Sequence, residues 1–166
     1  MVPFVFIVLG FLSRVIIHIP NFTPIIAIAL FSGIYFKKTY SVLLPVLILI
    51  VSDLFLGVHA TMPFTWGSVL LIAWIGDRMR GKNNFQNTFW VSVASSLLFF
   101  FITNLGVWLV SGLYPLGWNG LSECFILALP FFRNELLATL IYTFIFFSAY
   151  EAIKNRLAGT RFAHVL

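Results

Sequence analysis

Charge is scarce in this sequence. Asp, Glu, Lys and Arg make up 9% of its 166 residues, against about a quarter in an ordinary soluble domain. In their place stand 61% hydrophobic residues and a mean hydropathy of +1.03. A soluble fold of this length cannot hide that much apolar surface, so a single integral membrane domain over residues 1–166 is expected, with no room for a soluble one. Cysteine is nearly absent too. The lone Cys124 excludes an internal disulfide framework, and with no C-x-x-C or H-x-x-x-H spacing around it an inert buried thiol is expected, with no metal and no cofactor. Catalytic signatures are also missing: there is no G-x-S-x-G, no H-E-x-x-H and no Walker lysine. An enzyme is therefore not expected. The net charge of +5 does not point to nucleic acid, because the basic residues sit in short loops between apolar runs, as positive-inside topology requires.

What is present is a series of apolar segments divided by proline, glycine and charge. The expected fold is all-α, a bundle of about six transmembrane helices. The segments are Val2–Ile19, Pro24–Phe36, Ser41–Gly57, Pro63–Gly76, Phe89–Ser111 and Asn134–Ile153. A further piece, Leu121–Phe132, ends near Pro130 and reads as a short re-entrant or interfacial helix before the last span. The first segment lacks a basic leader and a small-residue cleavage site, so it reads as a retained helix. The second and fourth are shorter than the roughly 20 residues a perpendicular span needs. Such short helices line substrate cavities in transporters.

Lys37, Lys38, Arg78, Arg80, Lys82, Lys154, Arg156 and Arg161 all follow even-numbered segments. That pattern places these loops and both termini in the cytoplasm of a bacterial inner membrane. The other loops are aromatic and rich in amides.

Four polar sites interrupt the apolar segments: Arg14, Asp53, Asn104 and the Arg133-Asn134-Glu135 run. An ionisable group at bilayer depth costs about 2.5–3.5 kcal/mol or more unless it faces a partner or a pocket. Arg14 and Asp53 fall at matching depths of roughly 6–7 Å below the outer ends of their helices, which predicts an ion pair. The pair is either a staple between helices or the floor of a solute pocket. Asn104 and Asn134 are the expected hydrogen-bonding groups around it, Arg133 the group for an anion, and Asn21, His59 and Glu123 further substrate-binding candidates. Trp108, Tyr114 and Trp118 are the candidate stacking surfaces, with Phe22 and Trp66 as further aromatic candidates near the outer face. Flat rings with a few convergent polar groups suit a small heterocyclic ligand. Ala29 and Gly33 form a small-x-x-x-small pair suited to docking another helix.

Together these residues resemble a family. Arg14, Pro20-Asn21-Phe22-Thr23-Pro24, Ala29-Leu30-Phe31, Gly33, Ser52-Asp53, Gly57, Thr103-Asn104, Gly106-Val107-Trp108, Tyr114-Pro115, Gly120-Leu121 and Pro130-Phe131-Phe132-Arg133-Asn134 are similar to motifs of small uncharacterised bacterial membrane proteins labelled as transport proteins. That group in turn looks like the substrate-binding S components of energy-coupling factor (ECF) vitamin transporters. The resemblance implies a pocket for a vitamin-like solute under the outer loops, and as partners an ECF-type coupling protein with paired ATPases. The docking motif it implies on the first helix falls here on the second. Two other functions are compatible with the residues: a small membrane enzyme acting on a lipid or lipid-linked substrate, and a structural membrane subunit.

Overall fold

The computed structural model describes Leu12, Arg14 and residues 19–36, 38–82 and 84–157. Among them are five helices and no strand: α1 (Ile25–Tyr35), α2 (Lys38–Leu56), α3 (Met62–Arg78), α4 (Phe85–Val110) and α5 (Trp118–Leu157). Three runs are long and apolar enough to cross a membrane: Thr39–Leu56, Phe85–Val110 and Trp118–Arg156. Three such helices among the described residues are fewer than the six spans expected. The first expected segment, Val2–Ile19, lies outside the described residues except for Leu12, Arg14 and Ile19.

Helix α1 is the centre of the bundle. It has only 11 residues, about 16 Å of helix, and Ile25 to Ile34 are all buried. A helix apolar on every side must be surrounded, and α2, α3, α4 and α5 all pack against it. Pro24 starts it, with the Ile28 amide donating to the Pro24 carbonyl at 2.8 Å. Near its far end Phe31 meets Phe147 edge-on at 5.5 Å, and Tyr35 lies 3.9 Å from Tyr150, which seals α1 to α5.

The tightest packing is between α1 and α3. A Cβ on Gly33 would lie 2.4 Å from the Ala73 carbonyl oxygen, and one on Gly76 would lie 2.6 Å from that of Leu30. Two glycines facing each other let these backbones touch. Ala29 and Gly33 are therefore consumed inside the chain, and that face is not free to dock a partner as the sequence reading had it.

Two prolines interrupt helices without ending them. Pro45 in α2 has no amide hydrogen for the Ser41 carbonyl four residues back, and the Ser32 hydroxyl of α1 reaches that oxygen at 3.1 Å. Pro130 lies inside α5, which runs unbroken for 40 residues. The expected interfacial helix Leu121–Phe132 is thus the first part of the last helix and not a separate element. At about 60 Å, α5 exceeds the 40–45 Å of a bilayer with its headgroups.

The two ends of the bundle differ. At one, the Arg80 guanidinium donates to the Gly33 and Phe36 carbonyls at 2.8 and 2.6 Å. The Tyr35 hydroxyl reaches Glu151 at 3.4 Å, so Arg78, Arg80, Lys82, Lys154 and Arg156 collect there. The other end carries the loops at 19–23, 57–61 and 111–117, where lysine and arginine are absent.

Candidate functional site

Asp53 sits on α2, one turn before the helix ends at Leu56. Its Oδ1 accepts from Arg14 Nη2 at 2.6 Å, and its Oδ2 accepts from Trp66 Nε1 on α3 at 2.8 Å. With 1% of Asp53 exposed, both carboxylate oxygens are held and the charge is balanced. The expected ion pair is present, and its third member is Trp66. The indole acts here as a hydrogen-bond donor. Replacing Trp66 with phenylalanine keeps most of the ring volume but leaves Oδ2 unpaired. An unsatisfied buried acceptor costs about 1–3 kcal/mol, and a fall in the unfolding midpoint of the purified Trp66→Phe protein measures it.

Beside this pair lies a cavity of about 600 Å³, within the range that holds small organic ligands. Arg14, Asn21, His59, Asn104 and Tyr114 line it, together with Thr23, Thr61, Thr65 and Thr103. Phe99 and Phe100 from α4 and Phe131 and Phe132 from α5 form its apolar side, with the Phe100 and Phe132 rings tilted against each other at 4.8 Å. Asn21 stands in the left-handed region, at φ 59°, a conformation asparagine tolerates better than most residues. The Asn104 amide donates to the Phe100 carbonyl one turn back at 2.8 Å, leaving its own oxygen for other partners.

The remaining candidates stand outside the lining. Asp53 lies behind Arg14. The Phe22 ring is 6.0 Å from that of Tyr142. Trp108 donates to the Pro115 carbonyl at 3.1 Å and so ties the loop down. Asn134 donates to the Pro20 carbonyl at 3.2 Å, joining α5 to the turn before α1. Trp118, Glu123 and Arg133 are exposed, and none of them lines the cavity. Cys124 does line it, buried, with its thiol 3.5 Å from the Asn104 carbonyl. No cluster of three metal-ligating side chains occurs among the described residues.

Sequence reasoning counted Glu135 in the polar run at 133–135 but gave it no role at the site. It lines the cavity and is 5% exposed. Its Oε1 accepts from the Thr139 hydroxyl at 3.1 Å, while Oε2 has no hydrogen-bond partner among the described residues. Arg14 is spent on Asp53, so Glu135 is the one lining carboxylate without a counter-charge in the described structure. The signal was in the sequence. Ala128, Phe131, Phe132 and Glu135 follow helical spacing on one face, but a break assumed at Pro130 hid it.

A family described as "Family of unknown function (DUF6580)" matches the chain over residues 1–161. No curated protein and no solved structure matches it.

Proposed function

The chain belongs to the DUF6580 family, and from its site we propose that it is a membrane solute-binding protein. It takes up a small, vitamin-like molecule, either as the binding subunit of a larger transporter or alone. The observation that carries this reading is the 600 Å³ cavity lined by Arg14, Asn104, Glu135 and a wall of phenylalanines. A buried ion pair contributes little net stability relative to apolar packing. Its placement beside a cavity is better accounted for by a ligand than by a staple.

In this reading the bundle has six spans, with residues 2–19 as the first. The cavity faces outward because the basic residues collect at the opposite end. The rings of Phe99, Phe100, Phe131 and Phe132 hold a flat solute. Arg14, Asn104 and the threonine hydroxyls orient its polar edge. The likeness to ECF S components, with a coupling protein and ATPases as partners, belongs to the same proposal and rests on size, helix number and polarity.

Native mass spectrometry of the gently purified protein tests it. A co-purifying small molecule is expected, lost at least about tenfold in Arg14→Gln and in Asn104→Ala, since each removed polar contact in a dry site is worth about 1.5 kcal/mol or more. Purified protein without a bound molecule, together with no change in uptake by either variant in vitamin-requiring cells, overturns the reading.

A further inference from the structure

Hydroxyl-bearing residues run along the contact between α4 and α5 from the cavity to the other end of the bundle. On α4 they are Thr88, Ser92, Ser95 and Ser96; on α5 they are Thr139 and Thr143. The steps of three and four residues put each set on one helical face, and all six side chains are buried. In lipid, such residues commonly glue helices together by bonding across the contact. That account covers only part of this seam. Ser92 bonds the Thr88 carbonyl at 2.7 Å and approaches the Thr143 hydroxyl at 3.5 Å. The hydroxyls of Thr88, Ser95 and Ser96 make no close hydrogen bond among the described residues, that of Ser96 facing the Glu135 carboxylate. Three hydroxyls without a close bond in one buried contact call for an explanation, and glue does not supply it.

The ends of the seam do. At the cavity end stands Glu135, with Thr139 bonded to Oε1 and the Oε2 oxygen unpaired. At the other end Thr88, Ser92 and Thr143 border a second cavity of about 320 Å³, which also contains Glu151. Glu135 and Glu151 are about 24 Å apart along α5, most of the thickness of a hydrocarbon core. The titratable groups facing Glu135 are those around the first cavity, namely Arg14, His59, Tyr114 and Cys124, with Asp53 held behind Arg14. Glu151 faces Tyr35 at 3.4 Å and Lys154 at 3.5 Å. Between the two carboxylates the seam carries hydroxyls alone.

We propose that this seam conducts protons across the membrane, with Glu135 receiving the proton at the cavity and Glu151 releasing it at the basic end. Water bonded to the hydroxyls of Thr88, Ser95 and Ser96 completes the chain of donors and acceptors between them. Each transfer moves one proton and leaves both carboxylates as they began. The proposal rests on the solute-uptake reading for its purpose, since proton entry beside the solute site supplies a driving force. Conduction itself requires no solute.

The test uses the full chain in phosphatidylcholine–phosphatidylglycerol vesicles holding pyranine, with valinomycin and a potassium gradient setting an inside-negative potential. Acidification is expected to run at least about tenfold faster than in protein-free vesicles, and to fall to the protein-free rate in Glu135→Gln and in the shape-matched Thr139→Val/Thr143→Val pair. Wild-type vesicles that acidify no faster than empty ones overturn the proposal, as do variants that retain the wild-type rate. Gel filtration checks folding, and the threonine pair decides alone where Glu135→Gln does not elute as wild type. A protein that conducts protons, but that carries no solute in native mass spectrometry and whose Arg14→Gln and Asn104→Ala variants take up solute unchanged, sinks the uptake reading and leaves the conducting seam standing.

Discussion

Gly33→Ala is expected to destabilise the protein by about 3 kcal/mol or more, at the upper end of what overpacking costs. The added methyl would lie 2.4 Å from the Ala73 carbonyl oxygen and 2.8 Å from both the Asp77 nitrogen and the Gly76 Cα. All three are backbone atoms, so no side-chain rotamer change relieves the clash. The only relief is to move α1 away from α3. Yet α1 is buried on every side, so any shift opens gaps against α2, α4 and α5 as well. For a chain of this size the cost corresponds to a fall of about 6–12 °C in the unfolding midpoint. Gly67→Ala on the facing helix α3 is the control, since a Cβ there meets nothing within 4 Å. Equal midpoints for the two variants would falsify the close crossing.

The second large effect is at the ion pair. Asp53→Ala removes the acceptor of both Arg14 and Trp66, leaving a guanidinium at a site where water is largely excluded. Breaking one side of a buried pair costs about 3–5 kcal/mol. Arg14→Met strands the carboxylate instead and carries a penalty of the same order. The double variant Arg14→Met/Asp53→Leu is expected to recover most of the lost stability, because an apolar pair of similar volume has no charge to desolvate. Trp66 keeps one unpaired N–H, so recovery falls short by about 1 kcal/mol. Unfolding midpoints of the four proteins complete a double-mutant cycle. Additive effects, with no rescue in the double variant, would show that the two side chains do not interact. Solute retention separates the roles of the pair: a staple predicts that the stable double variant keeps its bound molecule, a pocket wall that it loses it.

Helices α1 to α4 lie close to where the sequence put them, because their limits are local. Pro24, Gly57, Pro63 and the polar stretch from Asp77 act on the chain within one turn. The segments Pro24–Phe36 and Pro63–Gly76 became Ile25–Tyr35 and Met62–Arg78. The same local logic failed at Pro130. A proline inside a helix removes one hydrogen bond, and the packing of α5 against α4 and α1 outweighs it. A window of sequence carries no information about that packing.

The Arg14–Asp53 pair was readable for a different reason. Two opposite charges at equal depth in apolar segments have few partners to choose from. The role of Trp66 was not readable, since an indole near a membrane surface is ordinary and only the crossing of α2 and α3 brings its N–H to Asp53. Trp118, Glu123 and Arg133 show the converse: polarity and position nominated them, but the direction of a side chain from its helix put them outside the cavity.

The amino-acid sequence alone established that the chain is apolar and helical, that its basic residues fall between the apolar runs, and that any buried charge in it needs a reason. Those properties are sums over residues or over single turns. Tertiary structure alone decided that the shortest helix is the core, that Gly33 and Gly76 face each other, and that Glu135 rather than Arg133 enters the cavity. Each of these depends on which faces of separate helices meet, a relation among distant residues that helical periodicity constrains but does not specify.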